Sequence, residues 1–156
     1  RRSQRGVMLF IIPLLFALKT MASKQAILLM DPVTEWNRVV QAANEKNMVT
    51  IAVFISPIED RMRKFHPTVK ALKESGVDHV LDLQDRDCYN CVHSVQHLMK
   101  KSYPGGGCSV EAVVPLSETA VEFSDIVAAM LGNSCHNPLH LTTSRRDKGL
   151  MKEAVH

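Results

Sequence analysis

Short, mostly apolar runs alternate along the chain with longer segments whose apolar residues recur at helical spacing. The runs predict buried strands, because a strand covered on both faces is apolar throughout. They cover residues 26–30, 49–55, 78–83 and 110–116. Between them, apolar residues three or four positions apart predict helices with one buried face. The clearest such face consists of Trp36, Val39, Val40 and Ala43. The predicted order is β-α-β-α-β-α-β-α, followed by one extra helix over residues 142–156.

The ends of these helices have their own signals. Thr34 is expected to cap the first helix, and Asn47 and Gly76 are suited to the left-handed residue that ends a helix. The second helix is expected to bury Phe65, Val69 and Leu72. The acidic stretch 85–87 should cap a third helix from Cys88 to about Lys101, which is followed by a glycine-rich loop at 103–107.

Apolar strands that alternate with helices predict a parallel sheet with helices on both faces. Right-handed crossovers then favour an α/β fold, a Rossmann-like open parallel sheet of about four strands. Ligands of such sheets bind at the carboxyl ends of the strands. Those ends are predicted at residues 31–32, 56–57, 84–85 and 116–118.

The chain has 156 residues, a formal net charge of +3 and 5% aromatic residues. Three arginines, Arg1, Arg2 and Arg5, account for a charge equal to that excess, so the remainder is close to neutral. A nucleic-acid-binding domain would show a basic patch and stacking aromatic residues. No nucleic acid is therefore expected as a partner.

Residues 1–24 are interpreted as a leader or signal-like segment outside the fold. The apolar run from Val7 to Leu18 has twelve residues, short of the ~20 that a membrane-spanning helix needs. It fits a signal peptide or an uncleaved anchor. We favour the alternative that Met21 is the true start. A cytoplasmic protein is then expected, with membrane association only if residues 7–18 anchor it.

The usual nucleotide and metal motifs are not evident. Residues 30–35, the first strand-to-helix turn, contain a proline and no glycine, which disfavours NAD or FAD binding. The thiols of Cys88, Cys91, Cys108 and Cys135 are interpreted as reduced. Cys88 and Cys91 have CxxC spacing but lie on an apolar helical stripe, so core packing is favoured over a redox or zinc role. His93 and His97 could share a metal, yet their helix flank is expected to be solvated, and no metal site is predicted.

Two polar segments near the end of the chain are the best functional candidates. Glu118 follows the fourth strand, where a helix begins. It is interpreted either as a favourable charge at a helix start, with Ser117 or Thr119 as the cap, or as a ligand-facing residue. The run Arg145–Lys148 is most simply a solvated face. However, two arginines early in a helix oppose its dipole, at a cost of ~0.3–1 kcal/mol.

Residues 113–132 (VVPLSETAVEFSDIVAAMLG) and 144–155 (SRRDKGLMKEAV) resemble the ATP-grasp ligases. This family includes biotin carboxylase, carbamoyl-phosphate synthetase and amino-acid or dipeptide ligases. The resemblance lies in Leu131-Gly132, Asn137-Pro138 and the segment from Arg146-Asp147-Lys148 to Met151. It is specific over about the last forty-five residues and only topological before them.

The resemblance implies a Rossmann-like pre-ATP-grasp domain at 25–141 and, at 142–156, the first helix of a truncated ATP-grasp domain. The implied activity joins a carboxylate to an amine or another nucleophile through an acyl-phosphate, with ATP and Mg²⁺. Lys148 resembles the lysine that contacts the nucleotide, and Glu118 the glutamate that faces the substrate region. The chain departs from the family at Pro115-Leu116-Ser117, where relatives often have a small residue or glycine.

The family's glycine-rich loop, second nucleotide lysine and acidic Mg²⁺ ligands would lie beyond His156. The chain is therefore interpreted as an N-terminal fragment of such a ligase, inactive by itself and without tight ATP binding. No catalytic residue and no metal ligand are assigned within it. Its expected partners are the missing C-terminal ATP-grasp domain and the parent's small carboxylate and amine substrates. The alternative is a standalone Rossmann-like binding module without catalysis.

Overall fold

A computed structural model describes residues 23–56, 66–105, 107–133 and 136–139. Four of the features predicted above fall outside these ranges. They are the leader up to residue 22, Phe65, Cys135 and the last helix with Lys148.

The described chain is an α/β fold built on four parallel strands in the order β3-β2-β1-β4. The elements are β1 (Lys24–Met30), α1 (Trp36–Glu45), β2 (Val49–Phe54), α2 (Val69–Glu74), β3 (His79–Asp82), α3 (Cys88–Ser102), β4 (Cys108–Pro115) and α4 (Val121–Met130). A short 3₁₀ turn, Glu118–Ala120, precedes α4. The predicted Rossmann-like open sheet with helices on both faces is confirmed.

The two central strands explain why both faces of the sheet need a covering layer. Every residue of β2 is buried, and β1 sends alternate side chains to opposite faces. Leu28 and Met30 belong to the core shared with α3 and α4, whereas Leu29 belongs to the core shared with α1 and α2. Each fully buried side chain of this size contributes ~1.5–3 kcal/mol. Burial on both faces therefore stabilises the sheet.

The strand order brings the ends of β1 and β4 together. Met30 is paired with Pro115, and the Leu116 amide donates to the Met30 carbonyl at 2.9 Å. Strands β2 and β3 lie on one side of β1, and the crossover through α3 places β4 on the other side. Such a reversal of strand order creates the crevice in which open α/β sheets bind ligands.

The helix ends agree with the sequence in most places. Asn47 has φ 54° and Gly76 has φ 93°, as expected of left-handed helix stops. A Cβ atom on Gly76 would lie 2.6 Å from Asn44 Nδ2, so a side chain would not fit there without movement. Asp87 caps α3 by accepting from the amides of Tyr89 (2.8 Å) and Asn90 (3.4 Å), which confirms the predicted acidic cap.

Two predictions about helix starts are wrong. Glu35, in the left-handed conformation, precedes α1 and makes no side-chain cap. Thr34 instead donates to the Leu116 carbonyl at 3.4 Å, because the turn brings it over the neighbouring strand exit. Val69, the first residue of α2, is 51% exposed, whereas Leu72 is buried as expected. Among the helices in the described ranges, none is long and apolar enough to cross a membrane.

Candidate functional site at the carboxyl edge of the sheet

We call the residues that follow the four strands the carboxyl edge: 31–35, 55–56, 83–87 and 116–119. Among the non-glycine residues that the structure describes with positive φ, three lie at this edge and one, Asn47, lies elsewhere. The three are Asp31 (φ 46°), Glu35 (φ 53°) and Gln84 (φ 48°). Such conformations cost ~1–3 kcal/mol each and cluster at functional sites. The carboxyl edge is therefore where this fold retains unfavourable backbone geometry.

Asp31 connects the ends of β1 and β2 through hydrogen bonds. The residue is only 2% exposed. It accepts hydrogen bonds from the Ile55 amide (2.9 Å), the Ser56 amide (3.4 Å) and the Ser56 hydroxyl (2.9 Å). From the sequence, Asp31 was recognisable only as the end of a strand. Because its oxygens are already bonded inside the fold, Asp31 is a structural residue of the edge.

Glu118 lies exposed at the exit of β4, as the first residue of the 3₁₀ turn. Neither neighbour caps the turn with its side chain, so the expected Ser117 or Thr119 cap is wrong. The two hydroxyls lie 3.1 Å apart and bond to each other instead. The Glu118 backbone carbonyl accepts from the Val121 amide, but its side chain has no hydrogen bond or ion pair with any residue in the described ranges. Its carboxylate is thus open to solvent, close to where β1 and β4 end.

Arg86 reaches the same turn from the loop between β3 and α3, and no sequence motif points to it. Its guanidinium donates to the carbonyl oxygen of Thr119, the residue after Glu118. The flanking aspartates are bonded elsewhere. Asp87 caps α3, and Asp85 accepts from the Asp87 amide (3.0 Å) and the Asn90 side chain (3.1 Å). Arg86 therefore makes no ion pair within the part of the chain that the structure describes.

Cys88 and Cys91 are packing residues, as predicted. Cys91 is fully buried in the core beneath α3, with Cys88 packed against the same cluster. Burial raises the pKa of Cys91 to about 12. Burial and, after it, the nearby Asp87 raise the pKa of Cys88. Protonated thiols are poor nucleophiles and poor metal ligands, so the raised pKa values agree with a packing role for this CxxC pair.

His93 and His97 lie exposed on α3, with ring centroids 6.5 Å apart and planes 19° from parallel. The predicted solvated flank is confirmed. No group of three or more histidine, cysteine, aspartate or glutamate side chains could hold a metal ion within the described ranges. The pair offers two ligands at most.

The opposite end of the sheet, where the strands begin at Lys24, Val49, His79 and Cys108, is called the amino edge. A cavity of about 530 Å³ lies there between the ends of α3 and α4 and the start of β4. Its lining includes Lys100, Tyr103, Cys108 and Glu111. Tyr103 is held by His79, whose Nε2 lies 3.1 Å from the phenol oxygen.

The loop with the Asn-Pro pair is tied to α4. The Asn137 side chain donates to a carboxylate oxygen of Asp125 at 3.0 Å, and Asp125 is only 6% exposed. No sequence pattern singles out Asp125. Lys148 lies outside the described residues, so its position relative to Glu118 stays a prediction.

Comparison with family models, with curated proteins and with solved structures found no match. The fold is thus defined by its own topology, and function has to be argued from the chemistry of the two edges.

Proposed function

We propose that this chain is the Rossmann-like supporting domain of an ATP-grasp ligase, which joins a carboxylate to an amine or another nucleophile through an acyl-phosphate. One observation carries the proposal. The exposed carboxylate of Glu118 lies where β1 and β4 end together, at the edge where open parallel sheets bind ligands. In the sequence, Asn137-Pro138 and Arg146-Asp147-Lys148 follow it in the order that the ligase resemblance requires.

In this proposal Glu118 faces the substrate region. An exposed carboxylate can accept hydrogen bonds from an ammonium group, the chemistry that an amine substrate would present on arrival. Lys148 would contact the nucleotide. ATP and Mg²⁺ would be held mainly by residues that follow His156 in the parent ligase, so this chain alone is not expected to bind ATP tightly.

The most economical test is to sequence the transcript downstream of the His156 codon. The proposal expects a glycine-rich strand–loop–strand segment and, further on, a pair of acidic residues suited to Mg²⁺. A downstream sequence of domain length without these features would exclude the ATP-grasp assignment.

A second candidate, a standalone binding module, is favoured by the cavity of about 530 Å³ at the amino edge. Its size is within the range of small-molecule pockets. A small-molecule library screened by thermal shift would separate the two candidates. Ligands that raise the melting temperature of the wild-type chain but not that of Tyr103→Ala would support the module. Ligands that raise both melting temperatures equally would not.

A further inference from the structure

Arg86 differs from the other arginine whose contacts lie at this edge. Arg38, at the start of α1, forms an ion pair with Glu35 at 3.0 Å. Arg86 has no carboxylate partner in the described part of the chain. Its neighbour Asp87 caps α3, and Asp85 accepts from the Asp87 amide and the Asn90 side chain. Of the two arginines that the structure describes, Arg38 therefore has a paired charge, whereas Arg86 has a charge that is available to a ligand.

Arg86 is also held in place. Its guanidinium donates to the Thr119 carbonyl, and it sits in a loop that Asp85 and Asp87 fix through bonds to backbone and side-chain donors. A guanidinium has five N–H donors in a planar fork. One contact with a carbonyl leaves donors that can bind both oxygens of a carboxylate or phosphate. A group fixed before binding loses less freedom when the ligand arrives.

We propose that Arg86 binds the anionic group, a carboxylate or a phosphate, of a small molecule at the carboxyl edge beside Glu118. This inference rests on the proposed function in one respect: it assigns an anion-bearing substrate to the same site. Arg86 reaches the turn that carries Glu118 from a loop on the far side of the sheet. The two side chains thus present opposite charges to one ligand.

The test is a titration of the chain with anions, in which the NMR signals of the backbone amides and the arginine side chains are monitored. Sodium acetate and sodium phosphate are added in separate experiments, with sodium chloride adjusted to keep the ionic strength low and constant, because salt screens exposed charges. The expected result is saturable shifts at Arg86 Nε–H and at the Glu118 and Thr119 amides. Which anion saturates at the lower concentration distinguishes a carboxylate site from a phosphate site.

Substitutions decide whether Arg86 is responsible. Arg86→Gln should weaken binding at least fivefold, whereas the matched control Arg38→Gln should leave it within twofold. Arg86→Lys keeps the charge but loses the planar fork, so it should weaken binding at least threefold. If Arg86→Gln does not fold, the binding measured for Arg86→Lys decides whether Arg86 is responsible.

Equal binding by wild type and Arg86→Lys, or equal losses in Arg86→Gln and Arg38→Gln, would overturn the proposal. So would the absence of saturable shifts at this edge in wild type. The titration uses no ATP and no sequence beyond His156. A negative titration would therefore not decide the ligase proposal, which has a separate test. Equally, rejection of the ligase proposal would not exclude an anion site at Arg86.

Discussion

The two edges of the sheet use their polar residues in opposite ways. At the amino edge they bond to one another. Asp78 accepts from the Thr50 amide (2.8 Å) and hydroxyl (3.1 Å), and His79 bonds Tyr103, whose ring lies 5.4 Å from the Lys24 ammonium. At the carboxyl edge Asp31, Asp85 and Asp87 are bonded within the fold. The charges of Glu118 and Arg86, in contrast, are neutralised by no residue that the structure describes.

This difference separates residues that hold the fold from residues that can serve a ligand. Buried polar groups that satisfy each other stabilise a single structure, and removing one partner leaves the other with an unmet hydrogen bond. An exposed charge contributes little to stability, ~0–1 kcal/mol even when paired. Substitutions at the two kinds of residue should therefore differ sharply in their cost.

The largest effect is expected at Asp31. Asp31→Ala removes the acceptor for two amides and a hydroxyl in a buried position, which should lower the free energy of unfolding by ~3 kcal/mol. Urea denaturation measures this loss. Asp31→Asn, which tolerates the left-handed conformation and keeps one acceptor oxygen, should lose about half as much. A loss below ~1 kcal/mol in Asp31→Ala would show that its hydrogen bonds to Ile55 and Ser56 do not stabilise the fold.

A smaller loss is expected at Asp78, on the other edge. Asp78→Ala leaves the Thr50 amide and hydroxyl without this acceptor, although the hydroxyl retains a 3.3 Å contact with the Gly76 carbonyl. The expected cost is ~2 kcal/mol in the same urea experiment. Ser109→Ala, an exposed change on β4, should cost less than ~0.5 kcal/mol. Similar losses in the two variants would show that the amino-edge bonds do not stabilise the fold.

The amino edge should also respond to acid. Burial, followed by the nearby Lys73, lowers the pKa of His79 below its ordinary value of 6.5, and Asp78 opposes the shift. The unfolded chain therefore binds more protons than the folded chain just below pH 6.5. This contribution to stability is complete above that pH and is lost as the pH falls toward the folded pKa.

Urea denaturation at about pH 7.5 and about pH 5.5 tests the sign. The wild-type chain should lose more stability between these values than His79→Gln. The exposed His93→Gln should behave like wild type. An equal loss in wild type and His79→Gln would remove His79 as the cause.

The smallest effect on stability is expected at Glu118. Glu118→Gln should change the free energy of unfolding by less than ~0.5 kcal/mol, because the side chain is exposed and bonds to no described residue. A loss like that of Asp78→Ala would assign Glu118 to the fold and erase the contrast between the edges.

The strands, their parallel arrangement and most helix ends could be predicted from the sequence, because they depend on local spacing and on residues next to one another. The contacts of the carboxyl edge could not. Arg86 meets Thr119 across 33 positions of the chain, and Asp31 meets Ser56 across 25. Local sequence makes Thr34 a helix cap, but its actual partner, Leu116, lies 82 positions away. Such pairings follow from strand order, which periodicity alone does not determine.

We propose that the carboxyl edge, through Glu118, serves an ATP-dependent ligase. The most direct measurement is ADP formation by the protein translated from the complete reading frame, assayed with ATP, Mg²⁺ and a panel of carboxylates and amines. We expect ADP to form only when both substrate types are present. We also expect Glu118→Gln to lower kcat/KM at least ~10-fold, about 1.4 kcal/mol of transition-state stabilisation, with unchanged stability. No carboxylate-dependent ADP formation, or full activity in Glu118→Gln, would contradict this role of Glu118.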